Sequence, residues 1–267
     1  MSKILSIVFI AFTLCEFYCF AELNNTVNFQ WRKMENKAFC TKEKLEYSVH
    51  FGVLNIGDAI LEVKNIEDYN GRQIYHLVSE MKSNSFSEKF YKIRSIEESW
   101  MDTESLCSLK YVRYQERPDR SEHKTANFDQ INRKFSFIEI NPQTNGVEKD
   151  VKGEIPEFVN DSLSVIYFIR TLPLEIDKEY SIYTHADDKN YLSKLVVKKK
   201  EKVKTSTGEF NCFVTESLAI DISEKKPVST SKLFMWLTDD ERKIPVLMKT
   251  KLYFGTITMK LKKISKN

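Results

Sequence analysis

At 267 residues, with 42% hydrophobic, 12% aromatic and 30% charged side chains, the chain can build a substantial core and lies outside the range of disordered proteins. Forty-one Lys and Arg against 38 Asp and Glu leave a formal charge of +3, too balanced to mark a nucleic-acid binder. Seven glycines and six prolines exclude collagen-like and Gly- or Pro-rich low-complexity chains.

Residues 1–21 carry the pattern of a secretory signal peptide. Lys3 supplies the charge, Ile4 to Leu14 the apolar run, and Cys19-Phe20-Ala21 a small residue before Glu22. The run is shorter than the roughly 20 residues that span a bilayer, so it predicts removal and export, with no transmembrane segment in the mature chain. Cys15 follows Leu14 and Cys19 follows Tyr18, which argues against a lipid-attachment signal. Residues 22–42 show no sustained period and read as an N-terminal arm. Residues 43–267 read as a single β-rich domain.

From Lys44 the period is two. Leu45, Tyr47, Val49, Phe51 and Val53 alternate with Lys44, Glu46, Ser48, His50 and Gly52, the pattern of a half-buried strand. Asn55-Ile56-Gly57-Asp58 reads as a turn, followed by a returning strand with Ala59, Leu61 and Val63 on one face. Asn70-Gly71 predicts a type I′ hairpin, because both residues tolerate positive φ. Further β-rich runs lie at Arg72 to Lys82, Phe90 to Met101, Leu106 to Arg117, Glu122 to Phe128 and Arg133 to Ile140, with Asn145-Gly146 as another turn.

One segment breaks this pattern. Asp161 is placed to cap a helix through Ser162 to Arg170, and Pro173 to stop it. Apolar residues lie nearly all round it, which predicts burial, although its β-branched content leaves a strand alternative open. Strands resume at Glu179 to His185, Tyr191 to Thr205, Phe210 to Ile222, Ser231 to Thr238, Val246 to Phe254 and Thr256 to Ile264. The predicted fold is mainly β: a large curved antiparallel sheet or open β-barrel with one short buried helix at about 161–172.

Four segments in order resemble an exported bacterial family known as domain of unknown function 3108. They are Phe51 to Ala59, Asp161 to Arg170, Thr205 to Phe210, and Met235 to Val246 followed by Gly255. The similarity spans roughly Lys44 to Ile264. It implies a periplasmic or outer-envelope β-protein and supplies no catalytic residue.

The residues themselves offer little chemistry. His50, His76, His123 and His185 are far apart and match no metal-binding spacing, so no metal or other cofactor is expected. Cys40, Cys107 and Cys212 include no Cys-x-x-Cys pair; Cys212 reads as a buried thiol, and a Cys40 to Cys107 bridge is open. Ser121-Glu122-His123-Lys124 has Ser-x-x-Lys spacing without the companion motifs of acyltransferases. Asp239 and Asp240 form a carboxylate pair suited to acid–base chemistry, but their setting is that of a hairpin tip, and Asp187-Asp188 reads the same way. Arg170 ends an apolar helix and must find a carboxylate, a carbonyl or an anionic ligand. With Tyr167 and Trp236 it forms the candidate ligand site. Six lysines from Lys194 to Lys204 read as a solvated strand edge, or as attraction to anionic headgroups.

These observations describe an exported envelope protein, non-catalytic, that binds a lipid-like or acylated partner in a concave apolar groove. The alternatives are a carboxylate-dependent hydrolase of envelope polysaccharide built on Asp239 and Asp240, or a structural component of a complex.

Overall fold

The computed structural model of the chain describes residues 29–228, 232–252 and 255–266. The leader expected at 1–21, and the arm up to residue 28, lie outside the described residues. The chain divides into units 1–31 and 32–267. In the first, Phe29 and Trp31 meet edge to face with ring centroids 5.0 Å apart.

The second unit is one antiparallel sheet. Its first half comprises β1 (Glu43–Phe51), β2 (Leu54–Tyr69), β3 (Arg72–Ser83), β4 (Arg94–Asp102), β5 (Ser108–Glu116), β6 (Ser121–Asp129), β7 (Lys134–Asn141) and β8 (Gly146–Glu154). After the helix α1 (Ser164–Thr171) come β9 (Glu179–Ala186), β10 (Lys189–Thr205), β11 (Gly208–Asp221), the short β12 (Lys226–Pro227), β13 (Leu233–Thr238), β14 (Pro245–Leu252) and β15 (Gly255–Lys266). Spatial order runs β8-β7-β6-β5-β4-β3-β2-β1-β15-β14-β13-β11-β10-β9, with β12 beside β11. Two meanders are therefore joined where the first strand pairs with the last, from Glu43↔Lys266 to Phe51↔Ile257. The sheet is large and open, with β8 and β9 at its edges, as its period-two sequence predicts.

The Asn70-Gly71 turn forms as expected, both residues at positive φ between the Tyr69↔Arg72 pair. The preceding turn does not fall at Asn55 to Asp58. It is the two-residue connection Gly52-Val53, closed by Phe51↔Leu54, with Gly52 at φ +58. A register shift between Val49 and His50 keeps the apolar face of β1 aligned with Ala59 and Leu61 despite the earlier turn. Two further corrections concern the polar half. Phe90 to Ile93 belong to the β3–β4 connection, so β4 starts at Arg94, and β8 is a strand that its two valines alone were too sparse to announce.

Helix α1 forms where Asp161 and Pro173 place it, which removes the strand alternative. Asp161 Oδ1 accepts the backbone N–H groups of Leu163 and Ser164, both at 2.8 Å, while the Asp161 N–H donates to Ser164 Oγ at 2.9 Å. This is reciprocal capping, and it fixes the first turn. Leu172 turns extended before Pro173, as the residue before a proline must. The helix buries Tyr167, Phe168 and Ile169 in a continuous core with Phe39, Leu45 and Tyr47.

Candidate functional site

Arg170 is fully buried near the C-terminal end of α1. Its Nη1 donates to Glu43 Oε1 at 2.6 Å, and its Nη2 to Glu43 Oε2 at 3.0 Å and to the Ala38 carbonyl at 2.8 Å. Nε donates to the Arg242 carbonyl at 3.0 Å. The guanidinium also lies 5.5 Å from the ring centroids of both Phe39 and Tyr167. Its fork is thus occupied by the first residue of β1, the arm and the β13–β14 connection. The adjoining cavity, bordered by Glu35, Lys37, Leu172, Glu241 and Lys243, measures about 210 Å³, below the usual size of ligand clefts.

Tyr167 sits beside Arg170, but Trp236 does not join them. Met235 pairs with Met248 and belongs to the face that carries Val49 and Met259; alternation sends Trp236 to the other face. There its indole N–H donates to Glu201 and Lys249 lies 5.0 Å over its ring. Asp239 and Asp240 face separate partners. Asp239 pairs with Lys200 at 2.7 Å, whereas Asp240 accepts the Thr238 hydroxyl at 2.7 Å and the backbone N–H groups of Arg242 and Lys243 at 3.1 Å. Burial pushes the Asp240 carboxyl up, but the Thr238 hydroxyl and Arg242 outweigh it and leave it below its ordinary value. Ser121 and Lys124, three apart on β6, point to opposite faces, and Lys124 is turned to Asp187.

The β9–β10 turn reaches across to the opposite half of the sheet. Asp187 Oδ1 accepts from Lys124 at 2.8 Å and Arg113 at 3.1 Å, Asp188 pairs with Lys149 at 2.7 Å, and Asn190 donates to the Glu154 carbonyl at 2.7 Å. His185 packs its ring 4.4 Å from that of Phe135. Burial raises the Asp187 carboxyl, yet Lys124 and Arg113 more than compensate and hold it below the usual carboxylate range. These contacts, with the Asn160↔Thr184 bridge, bring β9 back toward β5–β8 without hydrogen-bonding β9 to β8.

A larger cavity lies along β2, β3 and β4. It measures about 380 Å³ and includes Ala59, Ile60, Met81, Ile93 and Ile96 in its lining, with Lys82, Arg94 and Glu116 among its charged groups. The β3–β4 connection forms one wall through Glu88, Lys92 and Ile93. Antiparallel strand direction puts this connection, like the Gly52-Val53 turn, at the end of the sheet away from the Arg170–Glu43 pair.

A family model described as protein of unknown function (DUF3108) matches residues 46–262. The chain belongs to this family. No curated protein matches it. Among solved structures, this DUF3108 chain is similar to a β-barrel-like protein of domain of unknown function DUF1849 from Brucella abortus. The TM-score is 0.55 at 11% identity, over 84% of this chain and 97% of that one, a likeness of fold alone. A protein of Bacteroides fragilis described as exported, with a YmcC-like fold, matches with a TM-score of 0.32 at 10% identity, over 89% of this chain and all of the other.

The DUF3108 chain thus brings together only part of the site expected from its sequence. What sequence reading missed is the β3–β4 connection with its cavity. The signal was present in Ser83-Asn84-Ser85, a polar cluster that breaks the strand pattern before Phe86.

Proposed function

We propose that this protein is a non-catalytic binding protein of the bacterial envelope that holds a lipid-like or acylated partner in an apolar groove of its sheet. The observation that carries this reading is the 380 Å³ cavity along β2–β4, a size within the usual range of ligand clefts, where Ile60, Ile93 and Ile96 lie among charged side chains, Glu80 standing in register between Ile60 and Ile96. Isoleucines interspersed with charged groups of both signs suit an amphiphile, its acyl chain on the isoleucines and its polar head on the charges. The leader pattern at 1–21 supports export to the compartment where such partners reside.

The test is native mass spectrometry of the mature protein titrated with a lysophospholipid, beside protein purified from the periplasm. A saturable one-to-one adduct is expected, and Ile96→Trp, which fills the cavity from a half-buried position, should weaken it at least tenfold. If the wild-type protein takes up no amphiphile, or Ile96→Trp takes it up equally well, the reading fails.

A further inference from the structure

We infer that the sheet end bearing the β1–β2 turn and the β3–β4 connection docks on the surface of an anionic phospholipid bilayer. This rests on the lipid-binding reading above and names the surface from which the partner would be drawn.

The two segments expose large apolar side chains. Val53 is 94% exposed, Phe90 77%, Leu54 and Phe86 53% each, and Tyr91 45%. The two segments are hydrogen-bonded to each other. Asn84 Nδ2 donates to the Asn55 carbonyl at 2.9 Å, the Asn84 N–H to the Ile56 carbonyl at 3.1 Å, and Ser87 Oγ to the same Ile56 carbonyl at 2.5 Å. Phe86 and Phe90 then meet edge to face at 5.6 Å. The result is a fixed, projecting apolar tip made from two chain segments.

Around it stand Lys82, Lys89, Lys92 and Arg94, all exposed, with Glu80, Glu88 and Asp119 as exposed acidic neighbours; Tyr91 donates to Asp119 at 3.2 Å, and Lys92 pairs with Glu116 at 3.3 Å. Phe and Tyr rings favour the headgroup boundary of a bilayer, and cations beside them add attraction to anionic lipid. The tip projects on turns, a shape that enters a deformable lipid interface. Continuity with the cavity supports the same occupant, since the connection that carries Phe86 and Phe90 also supplies the wall residues Glu88, Lys92 and Ile93.

Vesicle co-sedimentation tests this with the mature protein, phosphatidylcholine vesicles, and vesicles of phosphatidylcholine mixed with phosphatidylglycerol. Wild type should partition onto the mixed vesicles, less so at high salt, and the Phe86→Ser, Phe90→Ser double variant should lose at least about tenfold in partition while keeping its denaturation midpoint and its lysophospholipid adduct. Equal partition of wild type and variant would overturn the inference. So would a wild type that stays in the supernatant, or apolar tips that instead drive self-association without lipid in sedimentation velocity. Vesicle binding by a protein that forms no lysophospholipid adduct would support the docking tip and remove only the cavity reading.

Discussion

Glu43 and Arg170 lie 127 residues apart and tie the first residue of the sheet to the last turn of its helix through two hydrogen bonds, at 2.6 and 3.0 Å. Both are buried, so the pair is retained only because its geometry and the Ala38 and Arg242 carbonyls offset the loss of water.

Removing one partner exposes that balance. Arg170→Ala leaves Glu43 without its countercharge and is expected to cost about 3–5 kcal/mol in urea denaturation. Arg170→Lys should cost less, yet clearly destabilise, because one ammonium cannot serve both Glu43 oxygens and two carbonyls. Equal losses with and without added lysophospholipid would assign Arg170 to structure alone, whereas a lipid-dependent difference would restore it as a ligand contact.

Asp161 gives the pH dependence. Burial pushes its carboxyl above 3.8, against the opposing bonds from Ser108, Ser99 and the helix N–H groups. A carboxyl raised in the folded state stabilises the fold fully below about 3.8, and that contribution is lost as pH rises through the raised value. Glu97, raised from 4.5 first by desolvation, adds a slope of the same sign. Asp161→Asn keeps the capping oxygen and removes the titration, so its stability relative to wild type should climb as pH rises above about 3.8. Asp161→Ala loses the cap as well and should be less stable than Asp161→Asn by about 1–2 kcal/mol.

Two glycines separate steric from conformational demands. A Cβ at Gly57 would lie 2.2 Å from the Lys82 carbonyl oxygen in the neighbouring strand, so Gly57→Ala must displace backbone and is expected to cost about 2–4 kcal/mol. Gly71 sits at φ +79 with open space around it, so Gly71→Ala should cost only about 1–2 kcal/mol. Thermal denaturation of the two variants side by side checks the order.

The helix and the strong hairpin were legible because their signals are local: Asp161 and Pro173 bracket one, and Asn70-Gly71 closes the other. The Gly52-Val53 turn was misplaced because Asn55 to Asp58 has turn composition, and only pairing against β1 reveals that these residues extend β2. Of the residues grouped from sequence, Arg170 and Tyr167 meet, but Trp236 lies on the other face, since alternation within β13 separates it from Met235.

Period two, one capped helix and its proline stop specify an antiparallel sheet with a buried helix, because side-chain alternation and capping act over a few residues. Which edges approach, whom Arg170 holds, and where a cavity opens depend on partners such as Glu43, Asp187 and Lys82. Arg170 and Glu43 lie 127 residues apart and Lys124 and Asp187 63 apart, so neither pairing leaves a local trace and only the tertiary fold brings each together.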